Sequence, residues 1–420
     1  MRAFRTQITH AAALLAAASL CAHAAELPLL SVFSDVSQSG LELHIVNVPQ
    51  TPVVALRVYV LGGVYGENER RGSGMAFCMQ ELLMDTWRDL QEHDGATGVL
   101  AHTAARLDYD ALCLSALTTR EYYPALLRQV ADVLARPRIS EQAWQRVRDR
   151  VNRQLLLDAY DQPYQLLNLY RRAAYLWHPV RVPLRGEHSL FAELTREDVA
   201  AYHHEYFVAG NIVVVLAGDL NNTDAAGHVA EAFAALPHKS VVLPPGYEEP
   251  VQANQRWLER RADVTQSYVC IGYLTVPEGH RDNAALDIAV RMLEREREAM
   301  LAALDHARHP VGELCITRTA AARSRGALLI TYRQDARAAA AGARALAAWL
   351  HTRAGQPWRA ADVRAEAETL CAAYRVALND PAALAEAVGH AYLHAGNPYF
   401  PRRCGWISTG DALIDRKSVV

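Results

Sequence analysis

The same succession of elements occurs twice in this chain of 420 residues, and that duplication limits the folds it can adopt. A strand rich in β-branched residues at 53–61 is followed by a Gly- and charge-rich loop and an apolar helix from Met75. The second occurrence has a strand at 268–274, a polar loop and a helix at 283–294. Strands that alternate with helices in both halves predict two similar domains in which helices pack on sheets.

The middle parts of the two halves also match. Ser140 predicts the N-cap of a long helix that continues to about Tyr160, and a corresponding helix begins near Trp358. A proline follows the end of each helix, in Asp161-Gln162-Pro163 and in Asp380-Pro381. The residue before a proline disfavours the helical backbone conformation, so each helix is expected to end there. The second half therefore repeats the first over a long period.

A polar, proline-containing stretch at 238–255 separates the halves and predicts an interdomain linker. We expect domains at 25–237 and 256–420 on either side of it. The predicted fold class is α+β, with two homologous α/β-sandwich domains.

The two halves differ at their ends. In the first half, a capping box at 195–198 precedes a strand at 212–217 and a closing helix at 223–236. Residues 415–419 align with 195–199, so the second domain is expected to be truncated at its C-terminus, without its last strand and helix.

The first 24 residues predict a cleaved signal peptide. Arg2 and Arg5 precede an apolar run at 11–21 that is too short to span a bilayer. Ala22-His23-Ala24 then gives the small-x-small pattern of a signal-peptidase site. No later stretch is long and apolar enough for a membrane span, so we expect a periplasmic or secreted protein.

Charge and cysteine content exclude some classes of function. The formal net charge of -3 gives no sign of nucleic-acid binding. The cysteines after the signal peptide are widely spaced and form no CxxC or Cys/His metal pattern. Buried free thiols are the favoured interpretation, and disulfides remain the alternative in an oxidising compartment.

The stretch 52–84 resembles the start of the insulinase/pitrilysin peptidases, a family that includes the mitochondrial processing peptidases. The matching features are the strand at 53–61, Gly63 and Glu67 near a turn, and a helix after Gly74. Further matches in the same order extend the resemblance over essentially the whole mature chain. The resemblance implies one half of a clamshell built from two similar domains.

In that family, two histidines of an inverted H-x-x-E-H motif bind zinc, and the glutamate acts as general base. Here Phe77 and Glu81 stand at the histidine positions, Gln80 stands at the base position, and Gln154 stands at the position of the third ligand. Phenylalanine has no lone pair for a metal, and a glutamine amide cannot take a proton from water. The resemblance therefore implies a pseudo-peptidase with no catalytic residue and no zinc.

A second family feature lies in the other domain. Family members carry an arginine and a tyrosine, seven residues apart, that hold the substrate and the oxyanion. Asp305 and Gly312 occupy the corresponding positions here, so both functions are expected to be absent.

Family members of this length often pair, and often only one partner holds zinc. The resemblance thus implies a zinc-free subunit that encloses peptide substrates with an H-x-x-E-H partner. One alternative is an active zinc metalloendopeptidase with an atypical site on Glu81, Asp158 and His93 or His102. The other alternative is a stand-alone peptide-binding or structural protein.

Overall fold

The structure is a computed structural model that describes residues 32–49, 51–93, 102–221, 223–243, 249–277, 280, 282–306, 308–319, 325–377 and 379–393. The predicted signal peptide at 1–24 and the aligned segment at 415–419 lie outside the described residues. Both expectations therefore stay predictions, as do the domain boundaries.

Six strands of the first half form one mixed sheet in the order β1-β2-β6-β3-β5-β4. The strands are Val32–Val36 (β1), Glu42–Asn47 (β2), Val53–Leu61 (β3), His102–Leu107 (β4), Ala111–Thr119 (β5) and Ile212–Gly218 (β6). The β2–β6 pair is parallel and the other pairs are antiparallel. Every residue of β6 is buried, as expected of an apolar strand in the middle of a sheet.

The helices of the first half follow the predicted order. They are Met75–His93 (α1), Tyr123–Ala135 (α2), Glu141–Asp158 (α3), Gln162–Ala174 (α4), His188–Phe191 (α5), Arg196–Tyr206 (α6) and Ala225–Ala232 (α7). Ser140 caps α3 by accepting a hydrogen bond from the Ala143 N–H, and Thr195 and Asp198 form the predicted capping box of α6. Within the described part of the chain, no helix has both the length and the apolar character to cross a membrane.

The described strands of the second half form an antiparallel sheet, β7-β9-β8, from Ser267–Pro277 (β7), Gly312–Thr319 (β8) and Arg325–Gln334 (β9). Its helices are Asn283–Arg295 (α8), Arg297–Ala303 (α9), Ala336–Ala354 (α10), Ala360–Ala377 (α11) and Pro381–Leu393 (α12). The order β7-β9-β8 repeats β3-β5-β4, which confirms the two similar α/β sandwiches. Among the described residues β7 has a neighbour on one side, whereas β3 lies between β5 and β6.

Each half contributes one helix that packs on the sheet of the other half. Helix α4 of the first half packs on β7, and α12 of the second half packs on β3 and β6. The face of the first sheet under α12 carries small and β-branched side chains, including Ala55, Val213 and Val215. The opposite face packs against α1 in the main core. The first sheet is therefore covered on both faces, and one cover comes from the other half.

Charged side chains fix α12 on the sheet. The Glu386 carboxylate accepts hydrogen bonds from Arg57 and Arg106, each at 2.9 Å. Gly389 lies against the ring of Tyr59, so the helix approaches the sheet closely at that point.

The described part of the predicted linker is bound to the first half. The consecutive backbone N–H groups of residues 176–178 donate to the carboxylate of Glu249. The Arg256 guanidinium donates to the carbonyl groups of Ala173 and Ala174 at the end of α4. These carbonyls have no partner inside the helix, so the arginine acts as a C-terminal cap.

Four of the described cysteines, Cys78, Cys113, Cys270 and Cys315, are free thiols, the state that the sequence favoured. Cys78 and Cys113 are buried, but Cys315 is exposed. Cys270 and Cys315 both pair with Thr331, from opposite sides of β9. Two strand spacings, about 9–10 Å, therefore separate them, which is beyond the reach of a disulfide.

We predict that Gly389→Ala lowers the free energy of unfolding by about 1–3 kcal/mol, measured by chemical denaturation. The added Cβ would lie 2.3 Å from Cε2 of Tyr59 and would push α12 off the sheet. Gly355→Ala is the control, because its Cβ would lie at an ordinary 3.5 Å from the Thr352 carbonyl oxygen. Equal losses in the two variants would contradict the close packing of α12.

Candidate functional site

A buried carboxylate fixes the start of α1, the helix that carries Phe77, Gln80 and Glu81. Glu67 lies in the 3₁₀ helix Gly63–Arg70 and is 2% exposed. Its carboxylate accepts the N–H of Gly72 at 2.8 Å and of Ala76 at 3.0 Å. It thereby satisfies an N–H group that has no partner inside the helix.

Burial raises the pKa of Glu67 to about 7, although the hydrogen bonds from backbone N–H groups lower the pKa in part. The sequence marked Glu67 only as part of the family pattern. Its capping function was not predicted, since it stands too far before the helix for a capping-box pattern.

The backbone around Glu67 requires glycine at two turns. Gly63 has φ +46° and Gly74 has φ +76°, which favour glycine. A Cβ at Gly63 would lie 2.4 Å from the Asp108 carbonyl oxygen, and one at Gly74 would lie 2.4 Å from that of Arg185. These close approaches hold the start of α1 against the neighbouring loops.

The four motif positions lie on two helices that pack on each other, α1 and α3. Phe77 is 9% exposed and packs in the main core. Gln80 and Glu81 are half-buried, and Glu81 contacts Arg150 of α3. Gln154 lies on α3, where its amide donates to Asp158 Oδ1 at 2.8 Å.

Opposite charges line the contact between α1 and α3, a feature that we call the charge ladder. It consists of three acidic residues of α1 and three arginines on or just before α3: Glu81, Asp85, Asp89, Arg138, Arg146 and Arg150. Arg150 bridges Glu81 at 3.4 Å and Asp85 at 2.9 Å. Arg146 contacts Asp85 at 2.8 Å, and Arg138 contacts Asp89 at 2.9 Å.

Asp85 is the central carboxylate of the charge ladder, with a side chain 8% exposed. Burial disfavours its charge, but the hydrogen bonds and charges of Arg146 and Arg150 outweigh this effect and lower its pKa. Asp85 is therefore ionised at neutral pH.

These residues do not fit a zinc ion. A catalytic zinc needs three protein ligands from nitrogen, sulfur or carboxylate donors. Phe77 offers none, the Gln154 amide is a poor one, and Glu81 already has the positive charge of Arg150 beside it. Within the described residues, no group of three or more His, Cys, Asp or Glu side chains could hold a metal.

The atypical zinc site is not assembled either. Both carboxylate oxygens of Asp158 bind the Arg185 guanidinium, at 2.7 and 2.9 Å. His93 lies on the same helix as Glu81 but about 18 Å further along its axis. His102 is exposed at the start of β4. The described structure therefore does not bring Glu81, Asp158 and either histidine together as a metal site.

Asp305 and Gly312, which align with the family's arginine–tyrosine pair, have backbone roles in this structure. The Asp305 backbone has φ +53° and accepts the His309 N–H at 3.0 Å. Gly312 starts β8 opposite Arg333. Neither residue supplies a guanidinium or a phenol to a substrate.

Sequence reasoning missed the arginines of the charge ladder. A signal was present, because Glu81, Asp85 and Asp89 recur every four residues, as do Arg146 and Arg150. That spacing places each set on one helix face. Which two helices face each other is not visible in the local sequence.

We predict that Glu67→Gln flattens the pH dependence of stability between about pH 4.5 and 7. A carboxyl whose pKa rises on folding contributes stability that is complete below its unfolded pKa and is lost as pH rises through about 7. An amide does not titrate, so this slope disappears. Denaturation of both proteins at several pH values measures it, and parallel curves would contradict the buried carboxylate.

We predict that Arg150→Ala destabilises the protein by about 1–3 kcal/mol, because Glu81 and the buried Asp85 each lose a counter-charge. Arg153→Ala is the control on the same helix, since Arg153 is exposed. Adding Asp85→Asn should shrink the effect of Arg150→Ala in a double-mutant cycle. Additive effects would show that the pair is not coupled.

Comparison with known proteins identifies the fold. Residues 193–305 match the family described as "Peptidase M16 inactive domain". This segment begins after α3, so the description does not cover the helices of the charge ladder. The zinc protease PqqE of Helicobacter pylori (strain ATCC 700392 / 26695) is 23% identical over 270 residues. The match spans 62% of this chain and only 60% of that relative's length.

Solved structures share the fold over nearly the whole chain. A protease from Helicobacter pylori has a TM-score of 0.78 at 18% identity, covering 93% of this chain and 94% of its own. A peptidase M16 inactive domain from Pseudomonas fluorescens has a TM-score of 0.68 at 17% identity, with 91% of each chain covered. An M16-like peptidase from Alicyclobacillus acidocaldarius has a TM-score of 0.67 at 15% identity, with 92% of each chain covered. The chain thus has the fold of M16-like peptidases, and its residues 193–305 match the model of the M16 inactive domain.

Proposed function

We propose that this chain is the zinc-free member of a pair of insulinase-like subunits and that it completes a peptide-enclosing chamber with an H-x-x-E-H partner. The observation that carries the proposal is the Arg150–Glu81 ion pair, at a position that the resemblance aligns with a zinc ligand. The fold of M16-like peptidases is present, whereas Phe77, Gln80 and Gln154 offer neither a strong zinc ligand nor a general base. A chain of this kind can shape a chamber without cutting its contents.

Peptide binding is proposed along β4. Among the described strands, β4 pairs with β5 alone and lies at the edge of its sheet. An edge strand offers unpaired N–H and C=O groups on which an extended peptide can add as a further strand. This binding needs no metal and no general base.

We further propose that the protein acts outside the cytoplasm. Residues 1–24 motivate this, with two arginines, a short apolar run and a small-x-small site. Periplasmic or secreted peptides would then be the substrates of the pair.

We predict that the purified chain cleaves no peptide, and that Glu81→Ala leaves this background unchanged. Glu81 and the neighbouring Asp85 are already paired with arginines, so removal of Glu81 abolishes no metal site. Peptide cleavage and metal content are measured with and without added zinc, and Glu92→Ala on the same helix is the matched control. Stoichiometric zinc with hydrolysis lost only in Glu81→Ala would overturn the proposal.

Isolation of the native complex tests the pairing itself. A second insulinase-like subunit with an H-x-x-E-H sequence is expected to copurify and to lose activity when this chain is removed. A chain that purifies alone and captures peptides without cutting them would instead support the stand-alone binding protein.

A further inference from the structure

A cavity of about 280 Å³ lies at the junction of the two halves, on the α12 side of the first sheet. Its walls come from β3, β5, α4, β9 and α12. It lies on the opposite face of the sheet from α1 and is distinct from the charge ladder. Its volume is near the lower end of ligand pockets, about 300–1,000 Å³, so it suits a small molecule.

Two tyrosine hydroxyls in the cavity wall have hydrogen-bonding capacity to spare. Tyr59 is 1% exposed, and the hydroxyl groups of Tyr59 and Tyr170 bond to no other residue that the structure describes. The Cys113 thiol beside Tyr59 is a weak partner. Buried hydroxyls are normally paired, so a polar occupant of the cavity would relieve a real cost.

The cavity wall also carries one charge of each sign without an ion-pair partner among the described residues. The Arg171 guanidinium lies 5.2 Å from the centre of the Tyr109 ring. Asp108 lies in the wall as well, and its Oδ1 accepts the Tyr109 N–H at 2.7 Å. Arg106 also lines the cavity, but unlike Arg171 it already has an ion-pair partner, Glu386.

We propose that this cavity binds a free aromatic amino acid. Arg171 would bind the carboxylate, since guanidinium groups favour this geometry. Asp108 would bind the ammonium group. The aromatic side chain would pack on the tyrosine rings and on Leu167 and Val180 of the wall. The Tyr59 and Tyr170 hydroxyls supply further hydrogen bonds to the charged groups.

This inference does not rest on the proposed pairing with a zinc subunit. The cavity lies within one chain and is lined by residues of both halves. An occupant would bridge the halves and stabilise their arrangement.

Isothermal titration calorimetry of the purified chain with L-phenylalanine tests the proposal. One saturable site is expected. Phenethylamine lacks the carboxylate, and N-acetyl-L-phenylalaninamide lacks both charges, so each is expected to bind at least about tenfold more weakly. L-Phenylalanine is also expected to raise the Tm of the chain.

Variants assign the contacts. Arg171→Gln is expected to weaken L-phenylalanine binding by about tenfold to a hundredfold. Arg172→Gln is the matched control, because the neighbouring Arg172 pairs with Glu187 at 2.7 Å and does not line the cavity. Asp108→Asn, at an exposed position, tests the ammonium contact without burying a new group.

Three results would overturn the proposal: no saturable binding, phenethylamine binding as tightly as the amino acid, or an affinity unchanged in both Arg171→Gln and Asp108→Asn. If Arg171→Gln fails to fold by circular dichroism, Asp108→Asn alone decides.

Discussion

The exchange of helices between the two halves is the interaction on which the rest of the structure depends. The face of the first sheet under α12 consists of apolar side chains such as Val213, Val215 and Ala217. Without α12 this face would meet water, and burial of apolar surface is the main favourable term in folding. Helix α4 covers β7 in the same way. Each half therefore relies on the other for part of its core, and the junction cavity is lined by residues of both covering helices.

Ion pairs join α1 to α3 at the positions where the sequence predicts a degenerate metal motif. A metal joins helices through a few strong bonds, whereas the charge ladder uses several weaker contacts between arginines and carboxylates. Removal of one partner from a buried pair costs more than the pair contributes in total, because the other charge stays behind. Introducing metal ligands at these positions would thus also require removal of Arg150, which is paired with Glu81 and Asp85.

Local signals in the sequence predicted most elements but not their contacts. Strand β3, the N-cap Ser140 and the capping box at Thr195 were predicted correctly, because neighbouring residues determine them. The last helix of the first half is shorter than predicted, since the chain tightens into a 3₁₀ turn at Phe233. The degenerate motif at Phe77, Gln80, Glu81 and Gln154 stays a prediction from the family resemblance. The ion pair between Glu81 and Arg150 could not be predicted, because it joins residues far apart in the chain.

The bound linker has a consequence for how such a protein can move. Glu249 and Arg256 hold the linker on the first half, and the Arg260 guanidinium donates to the Gln165 side chain of α4. The unstructured residues between this anchor and β7 are few, and the crossed helices already lock the halves together. Among the described residues, the linker is therefore anchored to the first half instead of forming a hinge between the halves. In the chamber proposed above, this chain would then move as one body, and the chamber would open between the subunits.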